Sequence, residues 1–71
     1  MPYVDIGTYE GFIPEEKKKE IALKVRKLVA EEIGRPEKGF VITNTGVPEA
    51  DWMNNLNKIR SEKEVLLDIG E

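Results

Sequence analysis

The 71-residue sequence contains neither cysteine nor histidine. The lack of cysteine excludes disulfide bonds, and the lack of both residue types argues against a tetrahedral zinc or iron–sulfur site. Serine–histidine and cysteine–histidine nucleophiles are excluded for the same reason. An acid–base catalyst must therefore be a carboxylate, a lysine, a tyrosine or the chain's own amino terminus. We expect neither a metal nor another cofactor.

Positive charge is also scarce. Lysine and arginine number 11 against 14 aspartates and glutamates, so the formal net charge is −3 and the pI is near 5.0. Nucleic-acid-binding domains are usually basic, and the one basic run, residues 17–19, has glutamates on both sides. No apolar run approaches the roughly 18 residues of a membrane span. We therefore expect a soluble, cytoplasmic protein with neither a nucleic-acid nor a membrane partner.

The chain is short enough that its core must be small. We treat residues 1–71 as a single domain, and a chain of this length buries only about 60% of the surface that its unfolded form exposes. Such a core rarely supplies more than roughly 3–5 kcal/mol, so small domains usually add disulfides, a metal or partner chains. Because the sequence offers neither of the first two, self-association is expected.

Two segments alternate in the manner of a β-strand. In residues 3–9, one face of the predicted strand carries Val4, Ile6 and Thr8. Residues 39–45 form the second predicted strand, in which Phe40 and Ile42 share one face. The long segment between them is predicted to be a helix, so the two strands should be parallel neighbours in a right-handed β-α-β unit. The fold class indicated is α+β.

The helix is predicted over residues 14–33. Its apolar positions recur at helical spacing and form one stripe, made of Ile21, Val25, Leu28, Val29 and Ile33. Pro14 suits the first helical position, because a missing N–H costs nothing there. Glu20 and Lys24 have the spacing of a favourable ion pair. Gly34 is predicted to end the helix in a left-handed conformation, and Pro36 prevents its continuation.

The remainder of the sequence predicts less. Residues 46–51 are rich in turn-forming residues and indicate a loop. Residues 53–63 are polar, with Leu56 and Ile59 as the only apolar anchors. Residues 65–69 could form a last short strand that is added to a neighbouring subunit.

Several short segments follow one another at a distinctive spacing. The chain opens with MPYV at residues 1–4, continues with EG at residues 10–11 and EEK at residues 15–17, and later carries Gly34-x-Pro36 and VPEADW at residues 47–52. In this order the sequence resembles, over about residues 1–60, the short members of the tautomerase superfamily, which are typified by 4-oxalocrotonate tautomerase.

The resemblance implies an assembly and a mechanism. Subunits of this family pair into a four-stranded sheet with two helices on one face, and three such dimers form a hexamer, either of one chain or mixed with a paralogue. Removal of Met1 exposes the nitrogen of Pro2, which acts as the general base in the interconversion of a small enol and its α-keto acid. The family also places an aromatic residue in the active-site wall, here Trp52.

The sequence departs from the family at two positions where family members carry arginines that bind carboxylates. One family arginine follows the Glu-Gly pair and falls here on Phe12 or Ile13, while the other lies in the second strand and falls on Val41. Apolar side chains cannot replace an arginine fork on a carboxylate. The site is therefore expected to be apolar, with Phe12, Val41 and Trp52 contacting the substrate and Arg35 supplying positive charge. Other cations that could contribute are Lys38, Lys58 and Arg60.

Two functional classes remain open on the sequence. The first is an enzyme, either a keto–enol tautomerase or a related hydratase or dehalogenase in which Glu49 or Asp51 would orient water. The second is a non-catalytic subunit of a mixed hexamer, which the missing arginines favour. On the second interpretation, Pro2 is a proline at the start of a strand and Trp52 is a packing residue.

Overall fold

A computed structural model describes residues 2–71 of the protein. Its strands and helices, in chain order, are β1 (Tyr3–Tyr9), α1 (Glu15–Ile33), β2 (Val41–Val47) and α2 (Trp52–Glu62), with 3-10 turns at Glu37–Gly39 and Glu49–Asp51. The predicted α+β class and the β-α-β order with parallel strands are confirmed. None of the helices in residues 2–71 is long and apolar enough to cross a bilayer.

β1 and β2 form a parallel pair whose register runs from Tyr3 opposite Val41 to Tyr9 opposite Val47. Exposure alternates along β1 as predicted, because one face of the sheet lies under α1 and the other does not. We call these the helix side and the outer face. On the helix side Phe40 is buried, whereas Val41, the next residue, is 55% exposed on the outer face.

The outer face of the sheet carries a polar network across the two strands. The hydroxyl of Thr43 donates to Oδ1 of Asp5 at 2.6 Å, and the hydroxyl of Thr45 donates to Oδ2 of the same carboxylate at 2.8 Å. On the helix side, the side-chain amide of Asn44 donates to the carbonyl of Ile6 at 2.6 Å. A slip of one residue would move these partners to opposite faces, so the network helps to specify the register.

The two ends of α1 agree with the sequence prediction except for the position of Pro14. Pro14 is not the first helical residue but the residue before it, with ψ of 139°, and its carbonyl accepts the N–H of Lys17 at 2.9 Å. Gly34 ends the helix in the left-handed region at φ 77°, as predicted. The predicted pair of Glu20 and Lys24 forms, with 3.3 Å between Oε1 and Nζ.

The apolar stripe of α1 is only partly covered in a single chain. Val25 and Val29 are half-buried, but Leu28 is 61% exposed and Ile33 is 57% exposed. The stripe predicts that Ile21, Val25, Leu28 and Ile33 cover one face of the sheet, and this prediction is wrong for Leu28 and Ile33 in the isolated chain. Leu28 is rotated by about 100° from Val29 around the helix, onto its flank, and Ile33 lies in the last turn, where the chain leaves toward Pro36.

The second strand begins and ends later in the chain than predicted. β2 begins at Val41 rather than at residue 39, because the N–H groups of Gly39 and Phe40 close a 3-10 turn on Pro36 and Glu37, at 3.1 Å each. It continues to Val47, into the segment predicted to be a loop. The rest of that segment is the turn Glu49–Asp51, and the polar residues after it form α2.

In the single chain, residues 65–69 are irregular and do not form a strand, and their addition to the sheet of a neighbouring subunit stays a prediction. The guanidinium of Arg60 donates to both carboxylate oxygens of Asp68, at 2.7 and 3.1 Å, and so holds this segment against α2. The same hydrogen bonds hold the pKa of Asp68 below its usual value. A strand needs a neighbouring strand to satisfy its backbone, and the sheet of the described residues consists of β1 and β2 alone.

Replacing Gly34 by alanine should destabilise the fold by about 1–2 kcal/mol, because a Cβ is unfavourable in the left-handed region. No neighbouring atom would meet that Cβ, so the loss reports the backbone alone. Gly39→Ala is the matched control, since its φ is not positive and its surroundings are equally open. Urea unfolding at one fixed protein concentration measures both variants. Equal losses in the two would contradict this account.

Candidate active site

Pro2 lies at the end of the sheet where both strands begin. Its carbonyl accepts the N–H of Val41 at 3.2 Å, which extends the β1–β2 ladder by one residue. Pro2 itself is exposed. The residue before a strand tolerates proline, because no ladder hydrogen bond is required of its nitrogen. The nitrogen of Pro2 is therefore free of any structural role in the ladder.

An open depression of about 700 Å³ lies at this end of the sheet and is lined by Pro2, Arg35, Pro36, Gly39 and Phe40. Four of these five residues come from the connection between α1 and β2. The left-handed turn at Gly34 makes this possible, because the carbonyl of Ala30 accepts the N–H groups of both Gly34 and Arg35, at 2.9 and 3.0 Å. The fold thus brings together Pro2 and Arg35, two residues singled out in the sequence.

The depression combines one cation with apolar walls. Among residues 2–71, Arg35 is the only charged residue that lines it, while Phe40, Pro36 and Pro2 supply hydrocarbon surface. A guanidinium presents planar donors that match a carboxylate. A nearby positive charge would also disfavour the protonated form of an amine at Pro2. The arrangement suits a small ligand with one carboxylate and one apolar substituent.

The other predicted substrate contacts lie elsewhere in the chain. The rings of Tyr9 and Trp52 stack with centroids 4.6 Å apart and planes inclined by 33°, and Phe12 lies 6.2 Å from Tyr9. We call these three residues the aromatic cluster. Since a strand rises roughly 3.3 Å per residue, the length of β1 places this cluster about 20 Å from Pro2. Within one chain, Phe12 and Trp52 do not line the Pro2 depression.

Val41 is adjacent to Pro2 but faces away from the depression. It pairs with Tyr3 in the register, and its side chain lies on the outer face. The neighbouring residue, Phe40, occupies the wall instead. Sequence reasoning missed Phe40 as a site residue, although the alternation of residues 39–45 already placed it on the opposite face from Val41.

The remaining charged candidates are divided between the two ends of the sheet. Arg60 is engaged by Asp68 and is not free for a ligand. Glu49 and Asp51 are exposed in the turn that precedes Trp52, at the end of the sheet that holds the aromatic cluster. Lys38 lies in the turn that forms one wall of the depression, but it is not among the lining residues.

No protein-family model, curated protein or solved structure gives a significant match to the chain.

Phenylpyruvate, which has one carboxylate and one aromatic ring, should bind the protein more tightly than the dicarboxylate oxaloacetate, because a single guanidinium lines the depression. Arg35→Ala should weaken phenylpyruvate binding about tenfold, the loss expected when a charge-assisted hydrogen bond at an exposed site is removed. Chemical-shift titration measures both affinities. Lys38→Ala is the control, as it removes a nearby cation outside the lining and should leave binding unchanged. Tighter binding of oxaloacetate would refute the apolar character of the site.

Proposed function

We propose that the protein is a keto–enol tautomerase of the tautomerase superfamily and that Pro2 is its general base once Met1 has been removed. The observation that carries this proposal is the shared depression of Pro2 and Arg35, bounded by apolar residues. The order of sequence segments that resembles the family supports it independently. Arg35 takes the substrate carboxylate in place of the two arginines that this chain lacks.

The proposed reaction needs one proton carrier and no cofactor. In ketonisation, the nitrogen of Pro2 accepts the proton of the enol hydroxyl, and the electron pair of that O–H bond forms the carbonyl. The carbon–carbon double bond then takes a proton at its far carbon, which Pro2 returns. The nitrogen ends as it began, so protons and electrons balance. A neutral amine near pH 7 is required, and general bases work best with a pKa near that value.

The proposed substrate is an enol with one carboxylate and an aromatic or other apolar substituent. Arg35 holds the carboxylate, while Phe40 and Pro36 lie where the apolar substituent would pack. With one cation rather than an arginine fork, the site has no second partner for a dicarboxylate. An unpaired carboxylate in an apolar site loses its hydration without compensation.

A second chain would complete this site with aromatic residues. If two chains pair along an edge strand around a two-fold axis perpendicular to the sheet, the paired strands run antiparallel. The end of the sheet where the strands begin in one chain then lies beside the end where they finish in the other. Pairing of this kind would place the aromatic cluster of one chain, about 20 Å from its own Pro2, next to the Pro2 depression of the other. Trp52 and Phe12 could then contact the substrate. We propose the four-stranded sheet on this basis, and the assembly of three such dimers into a hexamer on the basis of the family resemblance.

The free edge of β1 is the better candidate for this pairing. Leu23 and Arg26 of α1 lie over β2, where they line a hollow together with Phe40 and Ile42. By the helical period, Leu28 belongs to the opposite flank of α1, beyond β1. Because Leu28 is 61% exposed in the single chain, a second helix alongside α1 would bury it.

The alternative is a non-catalytic subunit in a mixed hexamer. It is favoured by the apolar residues Phe12 and Val41 at the positions of the family arginines. On this alternative the active sites of the hexamer belong to an arginine-bearing paralogue, and the chain described here contributes only the sheet, the helix and the aromatic cluster.

Replacement of Pro2 by alanine should lower the rate of phenylenolpyruvate ketonisation by about 10²–10⁴-fold, the usual contribution of a general base. A form that retains Met1 should be slower still, because its Pro2 nitrogen is an amide without basicity. Ultraviolet absorbance follows the reaction, and mass spectrometry establishes the terminus of each preparation. Pro14→Ala is the control for loss of a proline, since Pro14 is exposed ahead of α1.

Equal rates for the processed, Pro2→Ala and Met1-retaining forms would exclude Pro2 as the base. Rates for all three that do not exceed buffer would favour the non-catalytic subunit.

Leu28→Glu should dissociate the assembly, because it places a charge where the proposed second helix packs. We expect the sedimentation coefficient at micromolar concentration to fall to that of a smaller species. The control is Lys27→Glu, which introduces the same side chain at the adjacent exposed position and changes the net charge by more. Wild-type protein that sediments as a stable folded monomer would refute the proposed assembly.

A further inference from the structure

A groove runs beside α1 on the flank that lies over β2. Its volume is about 360 Å³, and its lining residues are Lys19, Ala22, Leu23, Arg26, Phe40 and Ile42. It continues toward the start of α1 into a second hollow of about 240 Å³, which shares three of these residues and adds Lys18. We call the continuous surface the α1–β2 groove. Its floor is apolar, and the charged residues that line it are all cations.

Arg26 is the residue of this groove whose hydrogen bonding is incomplete. Its Nε is buried, and no atom of residues 2–71 accepts a hydrogen bond from it. Buried donors are nearly always satisfied in folded proteins, so an unsatisfied one calls for an explanation. Lys19 likewise makes no ion pair with the described part of the chain. Within residues 2–71, the third cation of the groove, Lys18, pairs with Glu15, so Nε of Arg26 and the ammonium of Lys19 are the donors left without acceptors.

Residues 64–71 have the complementary composition. This segment, EVLLDIGE, is acidic and apolar, and we call it the acidic segment. Leu66 and Leu67 are each 79% exposed, and Ile69 is 78% exposed. Contiguous exposed apolar side chains of this kind are characteristic of interaction sites. Glu64 and Glu71 are exposed at its two ends and make no ion pair within residues 2–71.

The acidic segment is also held in a defined position. The bidentate pair of Arg60 and Asp68 fixes it to α2. A further turn follows, in which Gly70 has φ of 90° and the side chain of Glu71 accepts the N–H of Asp68 at 3.1 Å. Ordering a segment before it binds reduces the entropy lost on binding. The apolar side chains are thus presented to solvent from a preorganised loop rather than from a disordered end.

From this complementarity we infer that the acidic segment of one copy of the protein docks in the α1–β2 groove of a second copy. Leu66 and Leu67 pack on the apolar floor formed by Ala22, Phe40 and Ile42. The carboxylate of Glu64 or Glu71 accepts a hydrogen bond from Nε of Arg26. Opposite charges on the two surfaces favour this partner over unrelated proteins.

The contact is heterologous, because two different surfaces meet, whereas pairing along β1 joins identical ones. Heterologous contacts close into rings when the rotation allows it. A ring of β1-paired dimers would use both contacts at once. The inference does not depend on catalysis by Pro2. Phe40 is the one residue that the docking surfaces share with the lining of the Pro2 depression.

Disulfide cross-linking tests the contact. Because the protein has no native cysteine, no native thiol can compete for the introduced ones. A Leu23→Cys chain is mixed with a Leu66→Cys chain and oxidised, and a 23–66 heterodimer is expected as the main product. Mixing Leu28→Cys with Leu66→Cys is the matched control and should give little product, because Leu28 lies on the other flank of α1. Peptide mass mapping identifies the linked positions.

Charge variants then examine Arg26. Arg26→Glu in the Leu23→Cys chain should reduce the 23–66 yield on the order of tenfold, as expected when one partner of a charge pair is removed. Arg26→Lys should retain part of it. Circular dichroism of each chain verifies that it is folded.

Equal yields for the 23–66 and 28–66 mixtures would overturn the inference, and so would an Arg26→Glu chain that cross-links as well as its parent. A chain carrying both substitutions that closes only on itself at high dilution would show that the acidic segment reaches its own groove, which also contradicts docking between copies. None of these outcomes depends on the reaction at Pro2, so the two proposals are tested separately.

Discussion

The parallel pairing of β1 with β2 is the constraint on which the rest of the structure depends. Two parallel strands cannot be joined by a tight turn, so α1 must return the chain across the sheet. The return ends at Gly34, and the short connection that follows brings Arg35 to the end of the sheet where Pro2 lies. The same pairing keeps the aromatic cluster at the opposite end. The depression and the aromatic cluster therefore lie apart in a single chain for a topological reason.

Local patterns in the sequence predicted the elements that depend on period and caps. The alternation of residues 3–9 and the left-handed end of α1 at Gly34 both appear in the structure. The start of β2 was placed two residues too early, because the 3-10 turn on Pro36 uses backbone groups that alternation does not reveal. Likewise, the ion pair of Arg60 with Asp68 joins residues whose proximity arises only after α2 forms.

The candidate site was predictable in its residues but not in its grouping. The sequence singled out Pro2, Arg35, Trp52, Phe12 and Val41, and the structure places only the first two in one depression. Which side of a strand faces a cavity follows from the period, so Phe40 could have been chosen over Val41. Trp52 follows the end of β2, so chain order already places it at the end of the sheet opposite Pro2. The stacking of its ring on Tyr9 is the part that no spacing rule predicts.

The small core explains why large apolar side chains remain exposed on the single chain. Among the described residues, the buried hydrophobic side chains are only Ala30, Phe40 and Val47, far fewer than a stable isolated domain requires. Two exposed apolar regions remain among the described residues, the α1 flank at Leu28 and the acidic segment. We propose that the burial that the chain cannot achieve internally is distributed over two contacts of different symmetry. An assembly larger than a dimer needs the second contact, because an isologous contact alone ends at a dimer.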